Sequence, residues 1–350
     1  MGKRVLVTGL GTFWGGRMAQ ALEADRDVDH IIGLDVDEPK VPLERTEYVR
    51  ADQSYSILAR IVKAAQIDTI VHTFLVMDST HMSGRQLHET NVIGTMNLLA
   101  AAGAPESSVR HLIVKSSSLV YGSSREDPAW FRENMQRTSP PVSRVERSLV
   151  EVESYLRDFA VDNPHVTVTL LRFANVLGTD IITPISQALE AVVTPAILGF
   201  DPLMQFVEED DVVRSLHFAF DRQLQGVYNV AGDGRIPWSE VANICGVRLL
   251  PVLPPIMTGV TAGVLGALGL ADMPPELLDL LRYGRGIDNR KLKSAGFRYQ
   301  WTSAGAIDSF AQARRLRRTV GTSNPSYRYE TDVENFFRRS AAVIRRPVDS

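Results

Sequence analysis

Short apolar runs recur through the first half of the chain: KRVLVTG, HIIGLDV, EYVRAD, IDTIVHTFL, RHLIVKSSS and VTVTLLRFAN. Each is apolar on both faces, as a strand covered on both sides must be. Between them lie segments with helical spacing, GRMAQALEA, SILARIVKAAQ, ETNVIGTMNLLAAA and RSLVEVESYLRDFA. The alternation predicts a doubly wound parallel α/β sheet of Rossmann type, with ligands at the carboxyl ends of its strands. After Asn175 the pattern loosens, with one further strand-like run, GVYNVAG, at 226–232. This divides the chain into a dinucleotide-binding domain over 1–177, a smaller lobe over 178–310 that returns to the first domain, and a tail over 311–350.

One segment, 249–271, carries no charge. Pro251, Pro254 and Pro255 break its first third, leaving a helix of roughly 24 Å from Ile256 at ~1.5 Å per residue, short of a hydrocarbon core. A buried or lid-like helix beside the ligand crevice is the expectation, with an interfacial helix the alternative, since Gly259, Gly263, Gly266 and Gly269 permit close packing.

With 350 residues, 44% hydrophobic and 23% charged, the chain can bury a sizeable core. The single Cys245 argues against a disulfide framework and fits a reducing cytoplasmic compartment. The N-terminal MGKRVLVTG runs straight into a strand and does not resemble a secretory signal. A net charge of −3 hides an asymmetry, because 311–350 holds nine arginines against four acidic residues. A solvated basic tail is the simple reading, contact with a partner or an anionic membrane the alternative. No basic patch is interleaved with aromatics, so nucleic acid is not expected. The histidines lack metal-ligand spacing, and no metal is expected.

The first strand ends in TGLGTFWGG, Thr8 to Gly16, just before a helical segment. Glycines there let the backbone approach a pyrophosphate at a helix N-terminus. Asp35 ends the next strand, where a carboxylate binds a ribose 2′-hydroxyl and repels a 2′-phosphate, favouring NAD over NADP.

These residues resemble the T-G-x-x-G-x-x-G opening of the NAD-dependent epimerase/dehydratase family of extended short-chain dehydrogenase/reductases. Thr8, Gly9 and Gly15 match, whereas Thr12 stands at the middle glycine. NVIGTMNLLAAA from Asn91, SSSLVYG at 116–122, LLRFANVLG at 170–178, QFVEEDDVV at 205–213 and a late AGFRYQWT follow in family order. VRAD, VKSSSLVYGSS and RYGRGID are most similar to actinobacterial UDP-glucose 4-epimerase-like proteins. The resemblance implies a cofactor shell of Thr8, Gly9, Gly11, Thr12, Phe13, Trp14, Gly15, Asp35, Asp52, Thr73, Phe74, Leu75, Asn91 and Ser116. It also implies a homodimer formed through helices at Asn91–Ala102 and Ser148–Ala160.

Family chemistry couples hydride transfer to a tyrosinate whose pKa, ordinarily about 10, is lowered by a lysine one turn on. Counting from LLR and from ESYLRDFA places that pair at Val145 and Leu149, neither of which moves a proton. Ser143 and Arg147 have the same spacing but are turned away, and Glu146 is a carboxylate beside the vacated position. Ser117 matches the family's substrate-orienting serine, and Tyr121, part of the VYG that active members share, reads as structural, with a replacement base as the alternative. Ser118, Asn175, Gln205 and Arg282 are the expected substrate contacts, with Arg285 a weaker one. Two readings follow. One is an NAD-binding protein with an impaired catalytic site and a cofactor-sensing role. The other is an active oxidoreductase or epimerase using Ser117 and a non-standard proton donor on a nucleotide sugar or a less polar hydroxyl or ketone.

Overall fold

The computed structural model describes residues 2–77, 82–252, 274–320 and 327–328. Its centre is a seven-stranded sheet of β1 (Lys3–Thr8), β2 (Val28–Asp35), β3 (Thr46–Arg50), β4 (Thr69–His72), β5 (His111–Ser117), β6 (Thr167–Phe173) and β7 (Gly226–Val230). The spatial order is β7-β6-β5-β4-β1-β2-β3 and every pairing is parallel. The six apolar runs all form strands of this sheet, and GVYNVAG adds its edge from well beyond residue 175. Strand order reverses between β1 and β4, which opens a crevice at their carboxyl ends.

The helices are α1 (Phe13–Glu23), α2 (Tyr55–Ala64), α3 (Gly84–His88), α4 (Gly94–Ala102), α5 (Arg144–Asp162), α6 (Pro184–Glu190), α7 (Glu209–Arg222), α8 (Trp238–Cys245), α9 (Pro275–Tyr283), α10 (Arg290–Ser294) and α11 (Ser303–Val320). Strand residues alternate between the faces. Leu6, Leu112 and Val114 join the core beneath α2, α4 and α5, whereas Val5, Val7 and Ile113 join that beneath α1 and α7. A π turn, Glu89–Ile93, joins α3 to α4. It holds Asn91.

The second lobe has its own core around Trp238, Leu281, Phe206 and Phe310. α11 contributes to it, which corrects the boundary of the basic tail at 311. The helix runs through that position, and Arg314 is only 2% exposed. Its guanidinium donates to the carbonyls of Cys245, Glu190 and Ala191, while Arg317 pairs with Glu190. These arginines cap the carboxyl ends of α6 and α8, where helix dipoles favour cations. Of the uncharged segment, Leu249–Val252 lies in a strand paired with Val193–Ile197, and 253–273, including the expected helix, lies outside the described residues. Among the described residues no helix is long and apolar enough to cross a membrane.

Candidate active site

The glycine turn closes on itself. Gly9 has φ +80°, which favours glycine, and a Cβ on Gly15 would stand 2.0 Å from the Gly9 carbonyl oxygen. Thr12 replaces a glycine here without opening the turn. Its hydroxyl donates to the Gly9 carbonyl at 2.6 Å and accepts from the Gly15 N–H at 3.1 Å, so it caps α1. Gly16 N–H bonds the Thr12 carbonyl, and the first turn of α1 is where a pyrophosphate would meet the helix N-terminus.

Asp35 stands across the turn. Its Oδ2 accepts from Gly11 N–H at 2.9 Å and its Oδ1 from Val36 and Asp37 N–H. Burial pushes its carboxyl up to about 7, against the hydrogen bonds from Asp37 and Gly11. A ribose diol suits this group, and a 2′-phosphate would face both Asp35 and Asp37. The turn therefore fits an NAD-type dinucleotide. Asp52 follows β3, half-buried, with Oδ1 on the Ser54 N–H. Thr73 donates its hydroxyl to the Thr8 carbonyl at 2.9 Å, and the buried Phe74 and Leu75 follow it along the crevice. Thr8 itself bonds His72, whose burial lowers the imidazole pKa to about 4.

Beyond the turn lies an open cavity between the dinucleotide side and the second lobe. It is lined by Trp14, Lys115, Ser117, Ser118, Phe173 and Asn175 on the dinucleotide side. Ile181, Ile185, Glu276, Leu277, Leu280 and Arg285 close it from the second lobe. Ser117, Ser118, Asn175 and Trp14 thus meet at one place. Lys115 is the member that sequence reasoning passed over, although a lysine inside the strand run LIVKSSS was itself a signal. It is buried, and burial brings its ammonium down to about 7.

Six other expected ligand contacts are engaged within the protein. Tyr121, proposed as a substitute phenol, donates to Asn229 Oδ1 at 2.8 Å and accepts from Arg172 Nη1 at 2.7 Å. Burial raises its pKa further, and it does not line the cavity. Ser116 forms part of the cavity wall, but its hydroxyl donates to Glu153. Asn91 is buried and braces the segment after β4. Its Oδ1 accepts from Val76 N–H, and its Nδ2 donates to the Val76 carbonyl and to Ser148 Oγ. Gln205 spans the Gly232 carbonyl and the Ile287 N–H. Arg282 stacks on Phe200 and Tyr283, outside the cavity. Arg285 is the arginine at the cavity, with Nη1 on the Gly122 carbonyl and Ser123 Oγ.

On α5, Val145 and Leu149 are both fully buried in the hydrophobic core. Glu146 and Ser143 form a capping box, and Glu146 pairs with Arg137, which takes that carboxylate out of contention as a replacement base. Neither the Val145 nor the Leu149 side chain carries a titratable group. Among the described residues no cluster of three or more His, Cys, Asp or Glu could hold a metal.

A model of the NAD dependent epimerase/dehydratase family matches residues 5–231. The chain is 30% identical over 320 residues to an uncharacterized protein of Mycobacterium tuberculosis, covering 90% of this chain and 85% of that one. Among solved structures, the UDP-glucose 4-epimerase of Thermotoga maritima with UDP-glucose superposes with TM-score 0.65 at 20% identity, covering 91% of this chain and 99% of that one. The dTDP-glucose 4,6-dehydratase of Bacillus anthracis with NAD gives 0.67 at 18% identity, covering 93% and 100%.

Proposed function

Because the chain belongs to the NAD dependent epimerase/dehydratase family, we propose that it exchanges hydride between NAD and a largely apolar secondary alcohol or ketone, without a proton relay on α5. The observation that carries this reading is the cavity. Ser117 and Asn175 supply polar contacts on the dinucleotide side, and Ile181, Ile185, Leu277 and Leu280 form an apolar wall on the second-lobe side beside Glu276 and Arg285. NAD, when bound, supplies or takes up the hydride. Thr12 and Asp35 shape its site, Ser117 orients the substrate oxygen, and the apolar wall excludes water. A nucleotide sugar is the second substrate class, favoured by Arg285 and Asn175 on the cavity wall.

A cofactor-sensing role without turnover is the alternative, favoured by the full burial of Val145 and Leu149. A homodimer through α4 and α5 belongs to the same proposal and is supported by the exposed Ile93, Met96 and Val161. So does a cytoplasmic location, which the lone buried Cys245 supports.

The test is mass spectrometry of the molecules released when the purified protein is denatured, followed by NADH absorbance on mixing with secondary alcohols and with UDP-glucose. Release of NAD with an apolar hydroxyl or keto compound, and turnover of that compound, supports the proposal. NAD binding without turnover of any released or added alcohol supports the sensing role.

A further inference from the structure

We propose that Lys115 is the group that takes up and returns the substrate proton in this cavity, so that the chemistry has moved from the α5 face of the sheet to the α1 face. The inference rests on the NAD-dependent reading above. Along β5, Val114 joins the core beneath α5 and Ser116 bonds Glu153 of that helix, so these residues face α5. Ile113, Lys115 and Ser117 alternate with them and face α1. Lys115 therefore lies on the same side as Ser117, two residues or about 7 Å along the strand, and both line the cavity.

The Lys115 ammonium sits 4.9 Å from the centre of the Trp14 ring and 5.7 Å from that of Phe173. Among the described residues it has no carboxylate or other hydrogen-bond acceptor. A cation held only by aromatic faces in a buried site is costly to keep charged. Its uncharged form is a base, and burial places the midpoint near neutrality, where a general base works best.

The other charged groups on the cavity wall are Glu276 on α9 and Arg285 just beyond it. Arg17 on α1 is engaged by Asp210, and Glu209 on α7 by the N–H groups of Thr179, Asp180 and Ile181. On the neighbouring strands, Arg172 of β6 is held by Glu153 on the opposite face, and His72 of β4 bonds Thr8 and Thr95.

In the oxidative direction the substrate O–H bond breaks and its proton passes to the Lys115 amine, forming the ammonium. The C–H bond breaks with loss of hydride to the oxidised cofactor, and the oxygen electron pair completes the C=O bond. Reduction runs the same steps in reverse.

Trace acetylation of the folded protein with acetic anhydride, from about pH 6 to about pH 10 with peptide mass spectrometry, tests the assignment. The expected midpoint for Lys115 is about three units below the usual lysine value of about 10.4, and NAD+ is expected to protect Lys115 but not the exposed Lys63. A midpoint above about 9, no acetylation where Lys63 reacts, or no protection by bound NAD+ overturns it.

Calorimetry in buffers of different ionisation enthalpy gives a second readout. Wild type is expected to release up to about half a proton more per NAD+ bound at pH 7 than Lys115→Met. Equal release by the two proteins overturns the proposal. Failure of NAD+ to bind wild type overturns the NAD reading instead, and the acetylation midpoint then still decides whether Lys115 is a neutral base.

Discussion

Arg172 on β6 and Glu153 on α5 form a buried ion pair between sheet and helix, with Arg172 Nε 3.1 Å from each carboxylate oxygen. Ser116 and Tyr121 complete the network. Breaking such a pair from one side leaves a buried charge uncompensated. Glu153→Gln is therefore expected to cost about 3–5 kcal/mol, measured by urea unfolding. Tyr121→Phe, which leaves the ion pair in place, is expected to cost about 1–3 kcal/mol and to leave NAD affinity and turnover unchanged. A large loss of turnover with little loss of stability would return Tyr121 to the reaction.

Installing the family's relay is expected to harm this protein. Val145 and Leu149 are fully buried, so Val145→Tyr overpacks the core and Leu149→Lys buries an ammonium. The double variant is expected to lose several kcal/mol, since overpacking alone costs about 1–3 kcal/mol and an unpaired charge adds to it. No gain in NADH formation is expected. Thermal melting and the absorbance assay check both parts, and a gain in turnover would show that the helix face opens to the cavity.

Lys115 makes stability depend on pH in a stated direction. Its folded pKa is about 7 against the usual 10.5, so the unfolded chain binds more protons between these values. Stability therefore rises with pH across that window, and on acidification it is lost from about 10.5 down to about 7, below which no more is lost. Lys115→Met removes this dependence. Its advantage in melting temperature over wild type is expected to be largest below pH 7 and to vanish above about pH 10.5.

Thr12 separates capping from space. Thr12→Ala removes the bonds to Gly9 and Gly15 and is expected to cost about 1 kcal/mol, whereas Thr12→Gly is expected to cost only a few tenths, about 0.3 kcal/mol. Both are expected to retain NAD binding, since no bulk is added at the turn. Chemical denaturation and an NAD+ titration of the two variants give the comparison.

The sheet and the glycine turn were legible because they are local. An apolar run covered on both faces can only be a buried strand here, and TGLGTFWGG leads directly into α1. Long-range partners were not. Tyr121 is consumed by Asn229, 108 positions away, and Arg314 by carbonyls at positions 190, 191 and 245. Neither pairing leaves a trace near the residue itself. The arginine-rich segment thus looked like a solvated tail although its first part, through residue 318, belongs to a packed helix. Lys115 was visible as a charge inside an apolar strand, but only the cavity shows what that charge faces.

The most direct measurement is a calorimetric titration of wild type and Asp35→Ala with NAD+ and NADP+. One NAD+ per chain is expected for wild type, with NADP+ at least about tenfold weaker, a difference of about 1.4 kcal/mol, and with this preference lost in Asp35→Ala. No binding of NAD+ by wild type, or equal affinity for NADP+, would contradict the account.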